Sequence, residues 1–180
     1  RPLENADSRI VIVGINESDL KKVGNWPIPD TVLTQLLNKV KQQQPRVIGL
    51  DIYRDLPVES GSEDKSSYEE LLKVYKSTPN LIGIKKVVAN GQDKNVAASP
   101  VLDQLNQISA NDFPWDVDGK IRRGFLYLTD NNGKNVYSFG FKLALDYLKA
   151  EAITPQMKDS IRIQLGKAVF TPFGGNDGGY

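Results

Sequence analysis

The sequence predicts an α/β fold: a mixed, partly parallel central sheet with helices on both faces, and a C-terminal half rich in β-hairpins. Three observations carry this. Residues 9–16 (Arg-Ile-Val-Ile-Val-Gly-Ile-Asn) and residues 45–54 (Pro-Arg-Val-Ile-Gly-Leu-Asp-Ile-Tyr-Arg) are short apolar runs without polar alternation, the pattern of strands buried on both faces of a parallel sheet. Between them lies one apolar stripe at helical spacing, Val32, Leu33, Leu36, Leu37 and Val40. Strand, helix, strand in that order is a right-handed βαβ unit, which brings Asn16 and Asp51 out at the same edge of the sheet.

Each element follows from its local chemistry. After the first run, Asn16 or Ser18 starts a short helical turn, and residues 23–30 form a loop in which Pro27 and Pro29 force an extended path around Ile28. Asp30 or Thr31 caps the helix over 31–43, and Pro45 stops it. Residues 53–67 are polar and read as an exposed excursion. Ser66 or Ser67 then caps a helix over 68–75 that turns Leu71, Leu72 and Tyr75 inward. Residues 80–88 are a third strand with the Lys85-Lys86 pair near its exit. A polar turn region covers 89–98, and a short helix over 101–108 faces Leu102, Leu105 and Ile108 inward. Beyond it, the turn 116–120 feeds a strand over 121–128, and Asp130-Asn131-Asn132-Gly133 is another turn. Ser138 starts an amphipathic helix running to Lys149, with Phe139, Leu143, Ala144, Tyr147 and Leu148 inward. Residues 161–165 and 168–171 form a hairpin around Gly166-Lys167.

The 180 residues suit one domain, 1–180, with a lead-in over 1–8 and a Gly-rich tail over 172–180. Charged residues make up 25% and hydrophobic residues 39%, with a formal net charge of +1, so charge calls for no nucleic acid or polyanion as partner. Histidine and cysteine are both absent. That removes disulfides, Cys or His metal sites, and Ser-His-Asp or Cys-His catalysis, leaving carboxylate, Lys, Arg, Tyr, Ser and Thr for any chemistry. No cofactor is indicated. No apolar run approaches the roughly 18 residues of a spanning helix, which reads as a soluble chain or an excised piece of a longer one.

Asp51 is the first candidate site residue. Ligands of open α/β sheets bind outside the carboxyl ends of the strands, so a carboxylate there is either a site residue or a cap on the next loop. Asn16, at the neighbouring exit, either joins it on a ligand or starts its own turn. Trp26, between Asn25 and Pro27, is either an aromatic lip on a ligand or a ring that buries its loop. Asp116-Val117-Asp118-Gly119 looks like the start of a calcium loop, but Ile121-Arg122-Arg123 stands where further acidic ligands would be needed. It reads as a tight turn in which Arg122 or Arg123 pairs with an aspartate; anion binding by the arginines is the sharper alternative.

In combination, Val13-Gly14-Ile15-Asn16 followed by Glu17 and Ser18, then Gly24 to Pro29, Val47-Ile48-Gly49-Leu50-Asp51-Ile52, and Asp116-Val117-Asp118-Gly119 with Arg122-Arg123 resemble the second class of CHASE domains. The resemblance runs from about residue 9 to the end. It implies an extracytoplasmic (periplasmic or extracellular) sensor of a bacterial transmembrane receptor, tethered by flanking membrane helices and leading to a cytoplasmic output domain such as a histidine kinase or adenylate cyclase. The chain departs from the family pattern at Asn16, where Asp is common, and at Asp30, where Arg is common. On this reading Asp51, Asn16, Trp26, Arg122 and Asp118 are the candidate contacts for an unidentified small ligand. The domain itself is then not an enzyme, and a second copy of the chain is a further partner. Two rivals stand beside the sensor. One is a divalent-metal phosphohydrolase using Asp51 with Asp55 or Asn16; the other is a structural module that dimerises a receptor and binds nothing.

Overall fold

The computed structural model describes residues 5–58, 65–87, 96–113, 115–122, 124–130 and 132–171. The parts of the expected excursion at 59–64, the turn region at 88–95, Arg123 and the tail over 172–180 lie outside the described residues. The architecture is mixed α/β. A three-stranded parallel sheet is built from β1 (Ile48–Gly49), β2 (Leu81–Lys85) and β3 (Ile108–Ala110), in that spatial order. Ile48 pairs with Leu81 and Gly83 with Ile108.

Before the sheet come α1 (Glu17–Val23) and α2 (Asp30–Gln42). The α2 stripe works as expected: Leu33 and Leu37 are buried, together with Asp30 and Thr34, an i, i+3, i+4, i+7 face. Between β1 and β2 runs α3 (Lys65–Lys76), and between β2 and β3 runs α4 (Pro100–Gln104). Leu33, Leu37, Ile48, Leu50, Leu71, Val74, Tyr75, Leu81 and Leu102 form one core, so α2, α3 and α4 share a face of the sheet. Each fully buried side chain there is worth about 1.5–3 kcal/mol. Gln107, buried at the foot of β3, donates to the carbonyls of Thr78 (2.8 Å) and Leu81 (2.6 Å), tying the α3–β2 turn to the third strand.

The opposite face is covered by α5 (Phe139–Lys149). Its approach depends on a missing side chain. A Cβ on Gly49 would lie 2.7 Å from Phe139 Cζ and 2.9 Å from Leu143 Cδ1, so glycine lets the helix settle onto β1. A hairpin, β4 (Tyr127–Thr129) with β5 (Asn135–Tyr137), adjoins β3 through a bridge between Ala110 and Ser138, and packs Val136 with Val87 and Ala110. A separate antiparallel sheet of β6 (Pro155–Met157), β7 (Ile163–Leu165) and β8 (Ala168–Phe170) follows. Helices on both faces and a hairpin-rich second half are as the sequence predicts.

Several expectations are corrected. Residues 9–16 do not form a buried strand: 10–15 belong to no helix or strand, and Ile10, Val11, Ile12 and Val13 are 69, 83, 88 and 59% exposed. A run of β-branched residues favours strand, yet a strand exists only with a hydrogen-bonded neighbour, and none of the described strands pairs with this run. The helix expected over 101–108 ends at Gln104, because Asn106 takes φ +56°, a left-handed turn that Asn tolerates. Ile108 then starts β3, and Leu105 is exposed. Neither Asp30 nor Thr31 caps α2; Pro29 occupies that position, and the Asp30 carboxylate instead accepts from the Val58 amide at 2.9 Å. Ser66 and Ser67 lie within α3 rather than ahead of it. The strand expected over 121–128 is confined to Tyr127–Thr129.

Candidate functional site

The three parallel strands place their carboxyl ends side by side, and the residues just past those ends come from three separate stretches of chain. Asp51 and Tyr53 follow β1, Lys85 and Lys86 close β2, and Asn111 and Asp112 follow β3. The Asn111 side-chain amide donates to Asp51 Oδ1 at 2.7 Å, joining the outer strands across the exit of β2. Asp112 is buried and accepts from the Val87 amide at 2.9 Å, while the Asn111 backbone amide donates to the Lys85 carbonyl at 3.1 Å. Lys85 lies 3.6 Å from Asp130 on the β4–β5 turn. That carboxyl is held below its ordinary value, first by the Lys134 backbone amide and more weakly by Asn132 and Lys85.

Tyr53 belongs to the same constellation. Partial burial raises its phenol pKa first, the Asp112 and Asp51 charges raise it further, and Lys86 opposes them. The edge therefore offers a solvent-facing carboxylate as acceptor and an amide, a phenol and an ammonium as groups able to donate. This is a hydrogen-bonding surface for a small polar molecule. Among the described residues no group of three or more Asp or Glu is arranged to hold a metal ion; the side chain bonded to Asp51 is an amide, and no described bond joins it to Asp55 or Asn16.

The other sequence-predicted residues lie elsewhere. Asn16 is the N-cap of α1: its Oδ1 accepts from the amides of Ser18 (2.8 Å) and Asp19 (3.2 Å), while Asp19 accepts from the Asn16 amide. This reciprocal capping box is the turn-starting role. Trp26 is 67% exposed on the loop between α1 and α2, and the residues that anchor that loop are Ile28, Pro29 and Asp30, all buried. Arg122 is engaged within its own turn, with Nη1 on Asp116 (2.8 Å) and Asp118 (2.8 Å) and Nη2 on Asp118 (2.6 Å). The guanidinium holds Asp118 below the usual carboxylate range. Gly119, at φ +75°, closes that turn. The structure thus brings Asp51 together with Asn111, Asp112, Tyr53 and the lysine pair, and not with Asn16, Trp26, Asp118 or Arg122.

Asn111 and Asp112 escape sequence reasoning because the strand before them is the triplet Ile-Ser-Ala, too short to register as apolar periodicity. A hollow of about 220 Å³ lies by the C-terminal sheet, lined by Ala152, Ile153, Thr154, Gln156, Gln164 and Gly166. It contains no ionisable side chain, so it has no charge with which to select a ligand.

The sequence profile of one family, the CHASE2 domain, matches residues 1–178, nearly the whole chain. The chain is a CHASE2 domain. CHASE2 domains are sensory rather than catalytic modules, typically extracellular. Comparison with curated proteins and with solved structures gives no match. No helix among the described residues is long and apolar enough to cross a membrane.

Proposed function

We propose that this CHASE2 domain is the extracytoplasmic sensing module of a bacterial transmembrane receptor, and that it binds a small polar ligand at the carboxyl edge of its parallel sheet. The observation that carries this reading is the Asp51–Asn111 contact, with Tyr53 and Lys86 beside it, at the edge where open α/β sheets bind ligands. Asp51 accepts from the ligand, Asn111 fixes the carboxylate's orientation, and Tyr53 and Lys86 supply donors. Flanking membrane segments tether the domain, and a cytoplasmic kinase or cyclase is the output. Binding alters output only by favouring one of two domain or dimer states, since equal affinity for both shifts nothing.

Thermal-shift titration with a panel of amino acids, polyamines and inorganic cations tests the reading. A ligand present at about 100 times its Kd stabilises the fold by about 2.7 kcal/mol, and Asp51→Ala abolishes that shift while leaving the unliganded melting point within about 2 °C. If no member of the panel raises the melting point and Asp51→Ala leaves the output of the intact receptor unchanged, ligand sensing at this edge is refuted.

A further inference from the structure

The order of elements leaves one place in the sheet without a strand. α3 leads from β1 to β2 and α4 from β2 to β3, and α2, α3 and α4 pack on the same face. Parallel strands joined by right-handed crossovers on one face follow one another across the sheet in a single direction. By the same rule α2, which leads into β1, belongs over a strand on the other side of β1. That side is open: β1 has β2 as one neighbour and no described strand as the other. The apolar run that the chain supplies ahead of α2 is residues 10–15 (Ile-Val-Ile-Val-Gly-Ile), whose five large aliphatic side chains stand in water.

The vacancy suits a strand that is apolar on both sides. The Ile48 and Leu50 amides bond toward β2, at 2.9 Å to the Asn80 carbonyl and 2.8 Å to the Ile82 carbonyl, so by alternation the backbone groups of Gly49 face outward. Half-buried apolar side chains flank that edge: Val32, Leu36 and Val40, one row along α2 beside the buried Leu33 and Leu37, and Leu143 and Tyr147 on α5 across the sheet. The start of the run lies near the start of β1 in the same chain. Asp7 raises the Arg9 pKa through its hydrogen bond, and Tyr147 and Glu151 raise it further; those two side chains also hold Arg46, the residue before Val47. At the other end, Ile28 and Asp30 are fixed to Arg54 and Val58, past the carboxyl end of β1. Residues 16–27 therefore have only to return along that same edge.

We propose that residues 10–15 close onto the free edge of β1 in their own chain as a fourth parallel strand, and that the arrangement described above is the open state of this strap. Sharing the neighbours of Arg46 sets the register: Ile10 comes to lie beside Val47 and Ile12 beside Gly49. Residues side by side in a parallel pair share a face. Val11, Val13 and Ile15 thus join Ile48 and Leu50 under α2, while Ile10 and Ile12 meet α5 next to Phe139 and Leu143. Closure also brings Asn16 to the exit beside Asp51, so the strap is a two-position element whose closed position walls that edge of the sheet. The closure itself does not depend on the ligand-sensing reading.

Amide exchange of residues 1–180, read residue by residue by NMR, tests it. In the open state the Gly49 amide faces water. Closure predicts that Gly49 and alternate amides within 10–15 exchange at least about a hundredfold more slowly than in an unstructured chain, in a protein that is monomeric by sedimentation velocity. Ile12→Asp should return Gly49 to free exchange while leaving Ile84 of the interior strand protected. The Ile12 side chain is 88% exposed in the open state, so if that were the only state the substitution would change neither rate. Should the variant unfold and Ile84 lose its protection, the wild-type rates decide alone. Free exchange at Gly49 in the wild-type chain, Gly49 protection that survives Ile12→Asp, or protection that develops only as a dimer forms would each overturn the proposal.

Discussion

Replacing Arg54 by Met removes the cation from a pair that has almost no access to water. Arg54 Nη1 lies 3.3 Å from Asp30 Oδ1, with side chains 2% and 0% exposed, and Arg54 Nη2 also donates to the Ile28 carbonyl at 2.5 Å. Taking away one member of a buried pair leaves the other charge without compensation, a loss of about 3–5 kcal/mol. Against a total of about 5–15 kcal/mol for a domain, that is a large share. Urea unfolding at neutral pH followed by circular dichroism measures it. In the variant, burial without a cation raises the Asp30 pKa above its unfolded value. The deficit is then complete above the raised pKa and shrinks as pH falls toward the unfolded value of about 3.9. The double variant Arg54→Met with Asp30→Asn, which leaves no charge behind, should recover a substantial part of the loss. A single variant that loses less than about 1 kcal/mol, or a double variant no more stable than the single, would refute the reasoning.

Three further outcomes rest on the same physical grounds. Gly49→Ala puts a methyl group 2.7 Å from the Phe139 ring, so the urea midpoint should fall by the equivalent of about 1–3 kcal/mol with an unchanged slope. Asn16→Ala removes the α1 cap and should raise amide exchange at Ser18 and Asp19 by the equivalent of about 1 kcal/mol. Because α1 buries nothing, global stability should stay within about 0.5 kcal/mol; a larger drop would show α1 packed on the body. Burial pushes the Tyr75 phenol well above its ordinary value, with Arg54 pulling the other way. The folded state therefore keeps that proton longer than the unfolded chain, and stability falls as pH rises past about 10. Ultraviolet difference absorbance should show at least one tyrosine ionising only with unfolding, and complete ionisation of a still-native chain would contradict this.

Most of the scaffold was legible because it rests on long-period patterns. The stripe that became α2 and the Gly166-Lys167 turn between β7 and β8 each announce themselves within a dozen residues. What failed was partner-dependent. Residues 9–16 have the composition of a central strand, but composition does not supply a neighbour, and none of the described strands pairs with them. Gln104 ends α4 through the left-handed Asn106, a choice two residues long that periodicity averages away. The same limit applied to the site. Asp51 was found because it interrupts an apolar run, whereas Asn111 is coupled to it by tertiary folding alone, across 60 positions of sequence. Arg122 pairs with Asp116 and Asp118 inside one turn, the pairing that the spacing of Asp116-Val117-Asp118-Gly119 and Arg122 makes legible in the sequence.

The two ends of α5 both meet the stretch of chain around β1, the strand just ahead of Asp51. Near its start, Phe139 and Leu143 sit over Gly49. Near its finish, Arg46, just ahead of β1, lies 4.5 Å from the Tyr147 ring centroid and bonds Glu151 at 2.6 Å. Contacts at both ends couple the helix to the strand. A shift of β1 toward or away from its neighbours, whatever the cause, is therefore carried about 16 Å along the opposite face of the domain as a displacement of the whole helix, and α5 is the place to attach a probe that reads the sheet edge from a distance.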